Sequence, residues 1–147
     1  MSLWLAIFAV AVFVLLAFIV DGGQYMNARE RAADIAEQAA RAGADQVSVA
    51  DLRTAQPGQP LTIPQDAACQ AAGNLVNSYK NGALAASQAS TTTMTACNAP
   101  PGTETVNVTV SVTVSPVIPV IFGSFTTGAA GSATLKCGNA VAVTGAC

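Results

Sequence analysis

The chain has no histidine, so it lacks the commonest general base and metal ligand. It has no G-x-S-x-G elbow, no glycine loop ending in Lys-Ser/Thr and no dinucleotide fingerprint. Its acidic pairs, such as Glu30 and Asp34, fall on the charged side of a helical pattern, where solvation is the ordinary role. No catalytic, cofactor-binding or metal-ligating residue is assigned, and the sequence reads as non-enzymatic. Charge is scarce as well. Six basic and eight acidic side chains make up 10% of 147 residues, with a net charge of −2. Six scattered cations form no patch for phosphates, which excludes nucleic acid as a partner. Aromatic residues are only 5%, so any folded domain has a thin core.

The shortage of charge is concentrated at one end. No side chain between Met1 and Val20 is ionisable, and residues 3–20 are Leu, Ala, Ile, Val, Phe and one Trp. At 1.5 Å per residue that run makes a helix of about 27 Å, enough to cross a hydrocarbon core of roughly 30 Å. A cleaved signal peptide has a shorter apolar core and a small-residue cleavage site. Here the run is longer and the helical pattern continues past Gly22-Gly23, which points to a retained membrane helix.

Orientation is set by two opposing signs. Lys and Arg favour the cytoplasmic flank, yet here Arg29 and Arg31 follow the run and no charge precedes it. The four cysteines, Cys69, Cys97, Cys137 and Cys147, lack zinc-site spacing and read as two disulfides in an oxidising compartment. A basic leader, removed or outside the chain, reconciles the two signs. The expectation is a single-pass protein with its C-terminal domain outside the membrane.

Beyond Asp21 the small and apolar residues Tyr25, Ala28, Ala32, Ile35, Ala36, Ala39 and Ala42 recur at steps of three and four, one stripe of a helix. Glu37 and Arg41 form an i,i+4 pair beside it. An alanine stripe demands a close partner, either a sheet or neighbouring rods. Gly22 and Gly23 lower helix propensity at the membrane boundary by about 2 kcal/mol in total. They read as a boundary kink, a short non-helical joint or a hinge between anchor and rod. Gly43 is the expected helix end.

The apolar run followed by VDGGQYMNARERAADIAEQAARAGA (residues 20–44) resembles the N-terminal segment of TadE/TadG-like proteins of bacterial tight-adherence (Flp) pili. The shared features are the Asp21-Gly22 start, the Arg29/Arg31 pair and the Ala-Gly-Ala end. Pilins of that superfamily typically carry a glutamate near mature position five, where this chain has Leu5. The resemblance implies a structural pilin-like subunit, a minor pilin or pseudopilin, stored in membrane lipid and packed through its helix into a filament or its base. Leu5, Ala9, Tyr25, Ala28, Ala32, Ala36 and Ala39 are then the helix-packing and assembly residues. The implied partners are other pilin subunits, in homo- or hetero-oligomers, and Tad-type assembly machinery; the implied locations are the bacterial cell membrane and an extracellular pilus. The alternative is a permanently anchored envelope adaptor that presents a small binding module or scaffolds a secretion machine.

After the breaker-rich AQPGQP, residues 62–81 read as a second helix. Thr62 and Gln65 suggest a capping box, Pro64 stands in the first turn, and Ala68, Ala71, Ala72, Leu75, Val76 and Tyr79 form the buried face. ETVNVTVSVTVS (104–115) alternates valine with polar residues and is the clearest strand. STTTMTACN precedes it across a Pro-Pro-Gly loop, and GSATLKCGNAVAVTG (131–145) supplies one or two more strands. PVIPVIFGSF (116–125) reads as a loop over the sheet edge, or alternatively as a subunit or membrane-surface contact. Four cysteines allow three pairings; Cys69 with Cys97 and Cys137 with Cys147 is the favoured one. The fold class is therefore α+β: residues 1–44 as a long transmembrane, pilin-like helix, and 45–147 as a small disulfide-bonded domain with an antiparallel sheet and one further helix.

Overall fold

The computed structural model describes residues 2–48, 53, 62–81, 90–116 and 123–135. One helix, α1, runs from Ser2–Ala44 without a break. At the standard rise its 43 residues extend about 65 Å. Gly22 and Gly23 lie inside it, so the chain has no non-helical joint at the membrane boundary. A second helix, α2, spans Gln65–Asn81. Three strands follow: β1 (Ser90–Asn98), β2 (Thr105–Val114) and β3 (Phe125–Thr134). They form one antiparallel sheet in the order β1-β2-β3.

Strand β2 holds the centre because its alternation is complete. Val106, Val108, Val110, Val112 and Val114 are 0–5% exposed. Burying each valine contributes on the order of 1.5 kcal/mol or more. The opposite face carries short polar side chains that pair across strands, Thr93 with Ser111 and Thr113 with Thr126, each at 2.8 Å. Among the described residues the two helices cover only the valine face, α1 over β2 and β3, α2 over β1. The Tyr79 hydroxyl donates to Gln38 Oε1 at 2.5 Å and ties α2 to α1.

The β1–β2 connection is a turn set by its residue types. Gly102 has φ 75°, Pro101 precedes it, and the Thr103 N–H donates to the Pro100 carbonyl at 3.1 Å. That is the type II pattern, proline at the second position and glycine where φ must be positive.

Helix α2 starts later than the capping-box pattern suggests. The first helical bond runs from the Ala68 N–H to the Pro64 carbonyl, which puts Pro64 at the N-cap and leaves Thr62 outside. Its inward face is as spaced: Ala68, Ala72 and Val76 are buried, while Ala71, Leu75 and Tyr79 are partly buried.

Two further expectations change. Strand β3 begins at Phe125, the last residue of PVIPVIFGSF, and of residues 131–145 only 131–134 are described as strand. Its sequence FTTGAAGSAT has weak strand propensity; it becomes a strand by pairing along its whole length with β2. Residues 117–122 and 136–145 lie outside the described ones, and so does the expected Cys137–Cys147 pair. Gly43 does not end α1 in a left-handed cap. It sits within the last turn, where a Cβ would stand 3.1 Å from both the Ala68 carbonyl oxygen and Val106 Cγ1. Its job is to let α1 meet α2 and β2 closely.

Candidate functional site: a two-part helix and its junction with the sheet

Helix α1 divides by environment. Over its apolar end an 18-residue window has mean hydropathy 3.1 and no part of it is buried. The large side chains there, including Trp4, Leu5, Phe8 and Phe13, stand exposed. Length and composition suit a membrane crossing. Leu5 and Ala9 both lie on this exposed part.

The second part is the spine of the domain. Ala28, Ala32, Ile35, Ala36, Ala39, Ala40 and Ala44 are 0–5% exposed. Of the two partners left open for the alanine seam, the structure supplies the chain's own sheet. Ala28, Ala32, Ala36 and Ala39 are therefore covered within the molecule. The seam turns onto Ala40, Gly43 and Ala44 near the helix end, and Ala42 is only partly buried.

Contact is closest where α1 passes over β3. The two run side by side in the same direction, Tyr25 against Phe125 and Ala36-Glu37 against Gly131. A Cβ on Gly131 would overlap the backbone of Ala36 and Glu37 and stand 2.6 Å from the Ala36 carbonyl oxygen. A helix backbone thus rests on a strand backbone with no side chain between. Neither Gly131 nor Phe125 stood out in the sequence as a packing residue. The available signal was an anomaly: two glycines and three alanines within a ten-residue strand.

The disulfide has a comparable cause. Cys69 on α2 is bonded to Cys97 on β1, with a Cα–Cα distance of 5.7 Å. Met94 and Cys97 are an odd number of residues apart, so in a regular strand they would face opposite sides. A bulge between Met94 and Ala96 shifts the register. Thr95 and Ala96 are both exposed as a result, and Cys97 turns inward toward α2.

At the junction of the two parts lies a cleft of about 260 Å³ lined by Phe18, Asp21, Gly22, Tyr25 and Phe125. Tyr25 is 45% exposed and its ring centroid is 5.5 Å from that of Phe125. A Cβ on Gly22 or Gly23 would meet nothing within 4 Å, so packing does not require glycine at either position. Among the described residues, no group of three His, Cys, Asp or Glu side chains converges as for a metal ion.

Fold and site together define a class: an α+β chain whose spine helix extends into an unburied apolar span. Residues 1–46 match the model of the Tad family, described as Flp pilus-assembly TadE/G-like. The match covers α1 and stops before α2, and it supports a pilus-related role. No curated protein and no solved structure matches the chain.

Proposed function

We propose that this protein is a pilin-like structural subunit, a minor pilin or pseudopilin of a Tad/Flp-type pilus. Its span is stored in the membrane and later packed with other subunits in a surface filament or its base. The observation that carries this reading is the single uninterrupted helix, charge-free and exposed over residues 3–20, then built into a domain core. A simple anchor needs no rigid continuity with the domain it holds. A subunit that must present a domain at a fixed height and angle from a helical bundle does.

On this reading the assembly surface is the exposed part of α1, with Leu5, Ala9 and Tyr25 on it, because Ala28, Ala32, Ala36 and Ala39 are already covered. Residues 1–44 act as the assembly element and share their last turns with the core of the domain that follows. Lipid and neighbouring helices can serve in turn as solvent for a span without charge. Gly22 and Gly23 provide the place where the helix bends in transit, as the subunit leaves lipid, before it straightens again in the assembled state. Replacing both with alanine is expected to stiffen α1 and slow incorporation while leaving membrane insertion unchanged; unchanged incorporation removes the hinge from the scheme. The function itself is tested by electron microscopy of purified surface filaments with mass spectrometry of their subunits. Peptides of this chain are expected in the filaments. If the chain stays wholly in the membrane fraction while filaments form without it, the anchored-adaptor reading replaces this one.

A further inference from the structure

We propose that the junction cleft and the sheet end beside it are a lipid-binding surface, so that the domain rests on the bilayer rather than standing away from it. The proposal rests on the reading of residues 3–20 as a membrane span. Tyr25 lies five residues beyond Val20, about 7.5 Å along the helix axis. The headgroup layer on each side of a bilayer is roughly 5–8 Å thick. Tyr25 therefore stands at headgroup level, where the amphipathic ring of a tyrosine is favoured. Phe125 belongs to the sheet, and its ring packs against Tyr25 at 5.5 Å. Helix α1 and β3 run side by side from this contact to Gly131. The end of the sheet that carries Phe125 and its strand partner Val114 is thereby fixed at the same height.

The cleft itself is continuous with the span. Phe18, Gly22 and Tyr25 follow at steps of four and three along one face of α1. Phe18, 62% exposed, belongs to the charge-free segment and forms the lower wall. The cleft thus runs from hydrocarbon level up to headgroup level, and its lining is apolar apart from Asp21. Met26 adds a further exposed apolar side chain at the same level. An apolar cleft that opens into hydrocarbon is filled by what lies beside it, the upper methylenes of a lipid chain. A domain seated in this way shields its membrane-side aromatic residues and holds α1 at a fixed tilt.

The chain has one tryptophan, Trp4, in the span. It provides an internal control. The full-length chain is reconstituted in phosphatidylcholine vesicles whose acyl chains are brominated either near the headgroup or near the chain end. Wild type reports Trp4. The double variant Trp4→Phe/Phe125→Trp reports the sheet end. Trp4→Phe/Ser124→Trp reports from an exposed neighbour in case the ring exchange disturbs the core, and a retained Cys69–Cys97 bond verifies the fold. The expected result is loss of most of the emission from position 124 or 125, greater with bromine near the headgroup, at about one protein per vesicle. Quenching of Trp4 without quenching at 124 and 125 overturns the proposal and leaves the span intact. Quenching at 124 and 125 that is equal in unbrominated lipid and grows with protein density also overturns it, in favour of a second copy of the chain in the cleft. If Trp4 itself is not quenched, the span reading fails and the proposal fails with it.

Discussion

Residues 3–20 and residues 28–44 belong to the same helix, yet they invert the usual relation between size and burial. In the first segment the large apolar side chains are 38–80% exposed; in the second, Ala28, Ala32, Ala36, Ala39, Ala40 and Ala44 are 0–5% exposed. The first segment is long and greasy, and its large side chains stand exposed, so it needs a solvent from elsewhere, either lipid or other helices. The second contributes little area per residue. Its gain comes from proximity, since small side chains let a helix backbone lie against a sheet. One backbone thus serves two kinds of packing, and the same substitution should have unequal consequences in the two halves.

The sharpest break is Gly131→Val. It places a branched side chain where even a Cβ overlaps the helix backbone, and should cost more than about 3 kcal/mol, enough to unfold a thin-cored domain. Thermal unfolding in detergent should show the domain transition lost while far-UV circular dichroism retains the helix of the span. Next is the double variant Cys69→Ser/Cys97→Ser. The bond closes a sequence separation of 28, and loop-closure entropy gives about 3–4 kcal/mol. Urea unfolding with and without the bond would measure it, and insertion of the span should not change.

Ala9→Asp tests the other half. A carboxylate at the middle of the span should cost about 2.5–3.5 kcal/mol of insertion, read as a reduced membrane-integrated fraction, while the Cys69–Cys97 bond still forms. The same residue change in both halves then makes the comparison direct. Ala36→Leu should destabilise the domain by about 2 kcal/mol through overpacking, whereas Ala9→Leu should stay within about 0.5 kcal/mol. Equal effects of the two leucines would mean that the halves do not differ as described. The smallest change is Glu37→Ala. Its pair with Arg41 spans 3.5 Å with side chains 58–72% exposed, and double-mutant cycles should find about 0.3–0.5 kcal/mol, falling with salt.

Much of this molecule could be read along the chain. The span, the continuous helix beyond it, the α2 face and the alternating valines of β2 all announce themselves through local periodicity. The Glu37–Arg41 pair and the Cys69–Cys97 bond were legible too, one from spacing and the other from the elements carrying the cysteines. Less legible were features whose cause lies in another segment. Strand β3 has neither the propensity nor the alternation of a strand, so its sequence points to a start at Gly131, whereas the strand begins at Phe125. The bulge at Thr95 left only a faint trace, the odd interval between Met94 and Cys97.

By itself the sequence determined that a charge-free helix of membrane length leads into an amphipathic one, and that valine alternation builds a sheet with one apolar face. Those features depend on hydropathy and period, which neighbouring residues share. Only the tertiary structure decided that the alanine seam packs on the chain's own β3, that Gly43 and Gly131 are points of close approach, and that Phe125 meets Tyr25 at the edge of the span. Close approach of two backbones is a relation between residues far apart in sequence. Along the chain it appears only as smallness without a local cause, because the atoms that forbid a larger side chain belong to another element.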